Sequence, residues 1–454
     1  MTRPLKRSLT SRFSPPQLIA LSFVLAIAVG SGLLLLPFSL QGGQRLDVLT
    51  AIFTATTALC VTGLKVIDPA RTFSVTGQLI LLLLIQLGGL GLITFGTVFA
   101  LALRRRMKFS ERMRLAQQVS AFDVGGVLGL IRKIFAYTLV IEGLGTLLLA
   151  LRFVPQFGWE QGLYYSVVHA ISAFNNAGFS LFPHSLQDYR SDLLVTLTMC
   201  ALVILGGLGF LVQVNVVAHL LRRRPERLLI HSRLVLTTTL LLLLGGTLLI
   251  AAFEWNNPAT LGTLPLGEKL LNSFVSSVMP RTGGFSTLNT ELLRPATLFL
   301  MMFLMFVGAS PGGAGGGIKT STFAVIVGSA WSMVRSQGEM VAFHRRIEES
   351  TVLRAMTVGL LANALLVLML LLMLAFNTSP RLDFSHLAFE TVSAFSTVGL
   401  SMNATPDTNA AQRVLLIVLM YLGRIGPLTF ALALRQRVKR QDVSYPPERD
   451  ILIG

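Results

Sequence analysis

The stretch ASPGGAGGGIKTST, residues 309–322, brings five glycines, a lysine and a run of hydroxyl side chains together. That is the vocabulary of a phosphate-cradling loop, which reads G-x-x-x-x-G-K-[ST]. Gly312 and Gly317 have the required separation, but Ile318 stands ahead of Lys319 and Thr320. The residues before it, ATLFLMMFLMFVG (296–308), form an apolar run long enough to enter a membrane, not a short buried strand. The chemistry is therefore not nucleotide chemistry. A different question replaces it: why a hydrophobic segment breaks into glycines at 312, 313, 315, 316 and 317 and then resumes.

Composition sets the medium. Of 454 residues, 53% are hydrophobic and 13% charged, about half the charged share of an ordinary soluble domain at ~25%. Mean hydropathy is +0.69. The net charge of +17 suits nucleic acid in principle, yet its distribution argues for topology. Most basic residues cluster at 3–12, 104–114, 132–133, 222–233, 335–354 and 435–449, in alternate loops. This positive-inside pattern predicts a cytoplasmic location for those loops and both termini, and no nucleic-acid partner. The apolar run from Leu18 to Pro37 is about 20 residues, a first spanning helix and not a cleaved signal. Two cysteines, Cys60 and Cys200, are too few for a disulfide framework.

Four short stretches resemble one another: TALCVTGL (57–64), SAFNNAGF (172–179), VMPRTGGF (278–285) and SAFSTVGL (393–400). Aligned on Gly63, Gly178, Gly284 and Gly399, they are separated by 115, 106 and 115 residues. A segment of about 12 to 15 residues precedes each, too short to span but suited to a re-entrant helix. After each comes an apolar helix bearing QLGGLG (86–91), ILGGLG (204–209), FVGASPGG (306–313) or YLGRIG (421–426). Its first glycine lies 25, 28, 24 and 24 residues past the anchor, so two patterns hold register. Spanning helices are expected before each unit, at about 17–38, 128–153, 229–253 and 354–376. The predicted architecture is all-α and membrane-integral. It comprises four tandem helix–pore loop–helix repeats, pseudo-fourfold around a central pore, with eight transmembrane helices. Repeat boundaries fall at 17–106, 107–224, 225–346 and 347–438, flanked by cytoplasmic tails 1–16 and 439–454.

Extended backbone at membrane depth survives only buried in protein or lining a watery path. Four such segments can offer a ring of carbonyls that replaces the hydration shell of K+. The groups on offer belong to Val61, Thr62 and Gly63; Asn176, Ala177 and Gly178; Thr282, Gly283 and Gly284; and Thr397, Val398 and Gly399. None of the four is a full T-V-G-Y-G, which predicts fewer ordered ion sites and looser selection between K+ and Na+. Small-residue helix packing is the plainer reading of these glycines, but four copies in register disfavour it. The opening stretch then reads as a loop under the filter that blocks or clears the path. It comprises Gly312, Gly313, Ala314, Gly315, Gly316 and Gly317, with Lys319 starting the returning helix. Arg424, deep in the last helix, either faces the pore and repels cations or pairs with a buried acid such as Glu142 or Glu390. Glu390 could also brace the filter, and His169 reads as a packed, hydrogen-bonded residue.

Together these features resemble the Trk/Ktr/HKT superfamily of K+ transporters, most closely the Ktr-type membrane subunit. The motifs VTGL, NNAGF, RTGGF and STVGL are similar to its four filter loops, GGAGGGIKT to its intramembrane gating loop, and YLGRIGPLTF to its last helix. The resemblance implies that Gly63, Gly178, Gly284 and Gly399 are filter glycines and that Arg424 is a pore-facing barrier. It implies K+ uptake, with Na+ dependence, across a bacterial cytoplasmic membrane. A homodimer and a cytoplasmic ring of nucleotide-binding regulatory subunits are implied as partners, with nucleotide on the ring only. The basic loops 104–114, 222–233 and 335–354 are the docking candidates, or they hold anionic lipid headgroups. Gly283 departs from the more usual alanine, which would loosen that wall. About 17 residues precede the first span, favouring the Ktr over the Trk type. A Trk-type K+/H+ or K+/Na+ symporter subunit, or an ion-coupled carrier of another cation, is the alternative. Repeats that all start and end inside are parallel, which disfavours an inverted-repeat carrier. With no paired carboxylates and no working P-loop, an enzyme is not expected.

Overall fold

The computed structural model describes residues 15–90, 127–220, 228–335 and 339–426. The basic segments 3–12, 104–114 and 435–449, residues 222–227 of 222–233 and the expected tail 439–454 lie outside those residues.

In chain order, each of four longer helices is followed by a short helix, an extended turn and another apolar helix. The first set is α1 (Pro15–Leu34), α2 (Val48–Leu59) and α3 (Val75–Gly89). The second is α4 (Val127–Phe157), α5 (Trp159–Phe174) and α6 (Leu193–Leu208), the last followed directly by α7 (Phe210–Leu220). Then come α8 (Ile230–Glu254), α9 (Leu266–Val278) and α10 (Pro295–Phe306), and after the glycine loop α11 (Thr320–Val334). A small hairpin pairs β1 (Val341–Ala342) with β2 (Arg345–Arg346) and leads into α12 (Glu349–Ala375), α13 (Phe384–Ser396) and α14 (Ala410–Ile425). Many starts are written in short polar residues: Asp47, Ser74, Asp192, Asp383 and Asn409 each accept from a backbone N–H of the first turn.

Eight spans were expected, one of them interrupted; among the described residues three helices are long and apolar enough to cross a membrane alone. They are residues 132–157 of α4, α8 and α12, of 26, 25 and 27 residues. Their outward faces are bare leucine, such as Leu241, Leu248 and Leu360, the composition that lipid tolerates. The other apolar helices are short for a physical reason. Helices α6 and α7 meet at 103°, bent at Gly209 with φ +86°. Helix α14 stops at the corresponding Gly426, φ +90°, and α10 stops where the glycine loop begins. The broken helix was expected in the third unit alone; Gly209, the last glycine of ILGGLG, bends the second unit's helix as well, and Gly426, the last glycine of YLGRIG, ends α14.

Some of the charged groups inside this apolar body are fully paired. The Glu254 carboxylate, wholly buried at the end of α8, accepts from Asn257 Nδ2 and Thr260 Oγ1 at 2.6 Å. It also accepts from the Arg294 backbone N–H at 2.8 Å and Thr297 Oγ1 at 2.5 Å, tying α8 to the start of α10. Replacing Glu254 by Ala strands four donors, and an unmade buried hydrogen bond costs about 1–3 kcal/mol. Glu254→Ala is expected to lower the detergent-solubilised melting temperature by several degrees, read by fluorescence-detected gel filtration over a temperature series.

Candidate functional site

The four short helices end at four turns that meet one another. A Cβ placed on Gly63 would lie 2.5 Å from the Ala177 carbonyl oxygen, and one on Gly178 would lie 2.9 Å from the Gly284 Cα. On Gly284 it would strike the Val398 carbonyl, and on Gly399 the Thr62 carbonyl. The contacts close a ring: first turn to second, second to third, third to fourth, fourth back to first. Glycine is required at each corner because backbone of the next turn occupies the space of a side chain. Asn176 Nδ2 adds a hydrogen bond to Thr282 Oγ1 at 2.9 Å across the second and third turns. All twelve residues expected at the ring lie in these turns, and nearly all are buried.

Each glycine has φ between +64° and +94°, as a tight extended turn requires. Two residues earlier, Val61, Asn176, Thr282 and Thr397 also sit at positive φ, 55°, 57°, 71° and 51°. For β-branched valine and threonine this is a genuine outlier, costing on the order of 1–3 kcal/mol each. The strain is over-determined by backbone pairing. Thr62, Ala177 and Val398 N–H groups donate to the carbonyls of Thr57, Ser172 and Ser393 at 2.7–2.9 Å. Gly63 N–H donates to Thr57 Oγ1 at 3.0 Å, and Gly399 N–H to Ser393 Oγ at 3.1 Å. The third turn closes differently, with Gly283 and Gly284 N–H groups both on the Met279 carbonyl. Gly283 does not loosen its wall: a Cβ there would lie 2.9 Å from Met279 Sδ and Val203 Cγ1, which already fill the space.

Supports behind the ring were only partly foreseen. Glu142 on α4 accepts from Asn175 Nδ2 at 2.8 Å, and Asn175 also donates to Gln86 of α3 at 2.9 Å, bracing the second turn from behind. Glu390 takes the hydroxyls of Ser401 and Thr405, bracing the fourth. His169 bonds Tyr165 O at 2.8 Å and Ser180 Oγ at 3.1 Å and stacks on Phe182 at 4.4 Å, a packed residue as expected. On one side of the ring lies a cavity of about 340 Å³, lined by Gly63, Gly178, Gly284 and Gly399 together.

The glycine loop lies against the ring. Gly316 N–H donates to Thr397 Oγ1 at 2.8 Å, and a Cβ on Gly315 would collide with the Thr282 side chain. Beneath it are the ends of broken helices, whose last carbonyls have no partner within the helix. The loop supplies partners: Ser310 N–H to Gly207 O at 2.9 Å and Ala314 N–H to Gly206 O at 3.1 Å. Phe210 N–H, opening α7, donates in return to Gly312 O at 3.3 Å. Lys319 Nζ reaches Gly315 O at 2.8 Å. Arg424, buried, donates to the Ala314 carbonyl and to Gly88 O at the end of α3. It pairs with neither Glu142 nor Glu390, which have the partners already named. A guanidinium on helix-terminal carbonyls has both the donors and the charge sign the site calls for.

The geometry is that of an integral membrane protein with a ring of buried, polar, non-helical backbone between an open cavity and a pinned loop. A sequence profile described as TrkH, cation transport protein, matches residues 6–443, and the chain belongs to that family. It is 39% identical to the Ktr system potassium uptake protein B of Bacillus subtilis, over 96% of each chain. It is 35% identical to the potassium/sodium uptake protein NtpJ of Enterococcus hirae, over 99% of each. The crystal structure of the potassium transporter TrkH from Vibrio parahaemolyticus shares the fold, with a TM-score of 0.69 at 18% identity. That match covers 96% of this chain and 87% of that one. These relatives are transport proteins and not enzymes, and no group of metal-binding side chains occurs among the described residues.

The hydroxyl of Ser393 is the sole side-chain hold on the fourth turn's glycine. Ser393→Ala leaves that buried N–H unpaired, an expected loss of about 1–3 kcal/mol, read as a lower midpoint in thermal unfolding of the purified protein.

Proposed function

We propose that this chain is the ion-translocating subunit of a K+ uptake system of the Ktr type. K+ is taken to pass through the ring at Val61–Gly63, Asn176–Gly178, Thr282–Gly284 and Thr397–Gly399, coordinated by backbone carbonyls. The observation that carries this reading is the cyclic contact of four alike turns, each with positive φ at its glycine and two residues before it. The four-unit order supports a pseudo-fourfold arrangement of the segments 17–106, 107–224, 225–346 and 347–438 about one axis. Eight spans, three of them interrupted near the ring, would complete it.

The loop Gly312–Gly317 is then a gate, with Lys319 and Arg424 holding it against the filter. Arg424 serves as latch and barrier together, since its charge stands under the cation path while its donors fix the loop. The chain would sit in a bacterial inner membrane with both termini cytoplasmic. It would act as a homodimer on a nucleotide-binding cytoplasmic ring, whose docking surface includes the basic segments 104–114, 222–233 and 335–354. Relatives named as parts of a Ktr system support the partner, and one named for potassium and sodium together supports Na+ dependence.

Flux into liposomes tests the filter: ⁸⁶Rb+ uptake is expected to exceed ²²Na+ uptake, and Gly399→Ser is expected to erase the preference. Equal preference in the variant would overturn the carbonyl filter. Arg424→Ala and deletion within 312–317 are each expected to raise Rb+ flux about fivefold or more, as a barrier of about 1 kcal/mol is removed. Folded variants with unchanged flux would overturn the gate. Adding external Na+ to the same vesicles is expected to stimulate Rb+ uptake.

A further inference from the structure

Aligned on their glycines, the four turns place Lys65, Ser180, Ser286 and Ser401 at one position, two residues past the corner. Three quarters of the ring carry a small neutral hydroxyl there, and one carries an amine. Lys65, Ser286 and Ser401 line the 340 Å³ cavity that all four corner glycines share. Lys65 Nζ donates to the Ser180 carbonyl at 3.2 Å, a bond from the first turn to the second that ties the ammonium to the rim. The cavity has one lining carboxylate, Asp68. It accepts from the Ala70 N–H at 3.0 Å and pairs with Arg71 at 3.5 Å. Among the described residues, Lys65 has no carboxylate within ion-pair distance.

Two of the three serines at this position have other work. Ser180 bonds His169, and Ser401 bonds Glu390; both partners lie nine residues before their glycine. In the first turn that place is taken by Thr54, whose hydroxyl is bonded to the Thr50 carbonyl at 2.8 Å. The first turn therefore has no equivalent brace, and its outward residue is free to present charge to the cavity.

We propose that Lys65 is a tethered cation of the outer vestibule that sets the external affinity for the transported ion. Resting on the filter reading above, it acts by repelling ions that gather over the ring. In a cavity walled by protein, a fixed unit charge acts more strongly than in bulk water. The repulsion scales with the charge of the arriving ion, so divalent blockers are held off more than monovalent cargo.

The test is the external KM for Rb+ with the purified full chain in liposomes, at low ionic strength. Lys65→Gln is expected to lower KM about 3- to 10-fold and to strengthen Ba2+ inhibition by a larger factor. Both shifts are expected to shrink in ~1 M N-methyl-D-glucamine chloride, where the Debye length is about 3 Å. Lys65→Arg, which keeps the charge, is expected to side with the wild type. Ser286→Lys, adding a second ammonium at the matching corner, is expected to raise KM. Unchanged KM and Ba2+ inhibition in Lys65→Gln would overturn the proposal, as would a shift indifferent to salt. If Lys65→Gln does not fold, an unchanged KM in Ser286→Lys overturns it. Wild-type vesicles without Rb+ preference would remove the filter reading and this inference with it, whereas a preference lost in Gly399→Ser leaves failure here attributable to Lys65 alone.

Discussion

Everything near the centre of this molecule follows from one constraint: a carbonyl or N–H that leaves a helix inside the membrane must find another partner there. The chain leaves helices at that depth repeatedly, at the ends of α2, α5, α9 and α13, at the bend after α6, and at the ends of α10 and α14. Each exit exposes groups that lipid cannot satisfy. The four turns meet the requirement by folding their N–H groups back onto their own helices and crowding together. The glycine loop meets it by lying across the open end of α6, and Arg424 by reaching the end of α3. The buried ring and the pinned loop are thus two solutions to one problem.

Glycine serves three separate purposes here, and the sequence distinguishes them only in part. At Gly63, Gly178, Gly284 and Gly399 it permits positive φ beside another backbone. At Gly209 it bends a helix and at Gly426 it ends one. At Gly88, Gly206 and Gly423 the φ is helical, yet a Cβ would strike the carbonyls of Leu59, Phe174 and Phe395, the ends of the neighbouring short helices. The double register of glycines, read as a repeat, therefore encodes both corner and seat: one set shapes the turn, the other lets the short helix settle against its neighbour. Small-residue packing and turn formation were set against each other as explanations, and both operate, at different glycines.

The order of long helix, short helix and turn in four sets and the placement of the glycine loop were legible because they rest on spacing and on residues with restrictive backbone behaviour. The left-handed Val61, Thr282 and Thr397 were not, since β-branched residues give no local sign of that conformation; only the tertiary contacts impose it. The bend after α6 was signalled by the third glycine of ILGGLG but masked by the continuous apolar run around it. The role of Arg424 stayed open between pore and salt bridge because its partners are backbone carbonyls, 110 and 336 residues away, which no side-chain pattern announces. The Asn175–Gln86–Glu142 support escaped notice for the same reason: its members are ordinary residues until the fold joins them.

The last helix holds the first in place. Tyr421 donates to the carbonyl of Ala20, 401 residues earlier, at 2.8 Å; Arg424 reaches Gly88, and the fourth turn closes on the first at Thr62. The first turn comes early in the chain but cannot be closed until the fourth, far later in the sequence, is in place beside it. The ring is therefore closed only when its first and fourth turns meet, which makes assembly order as much a part of its design as the geometry it ends in.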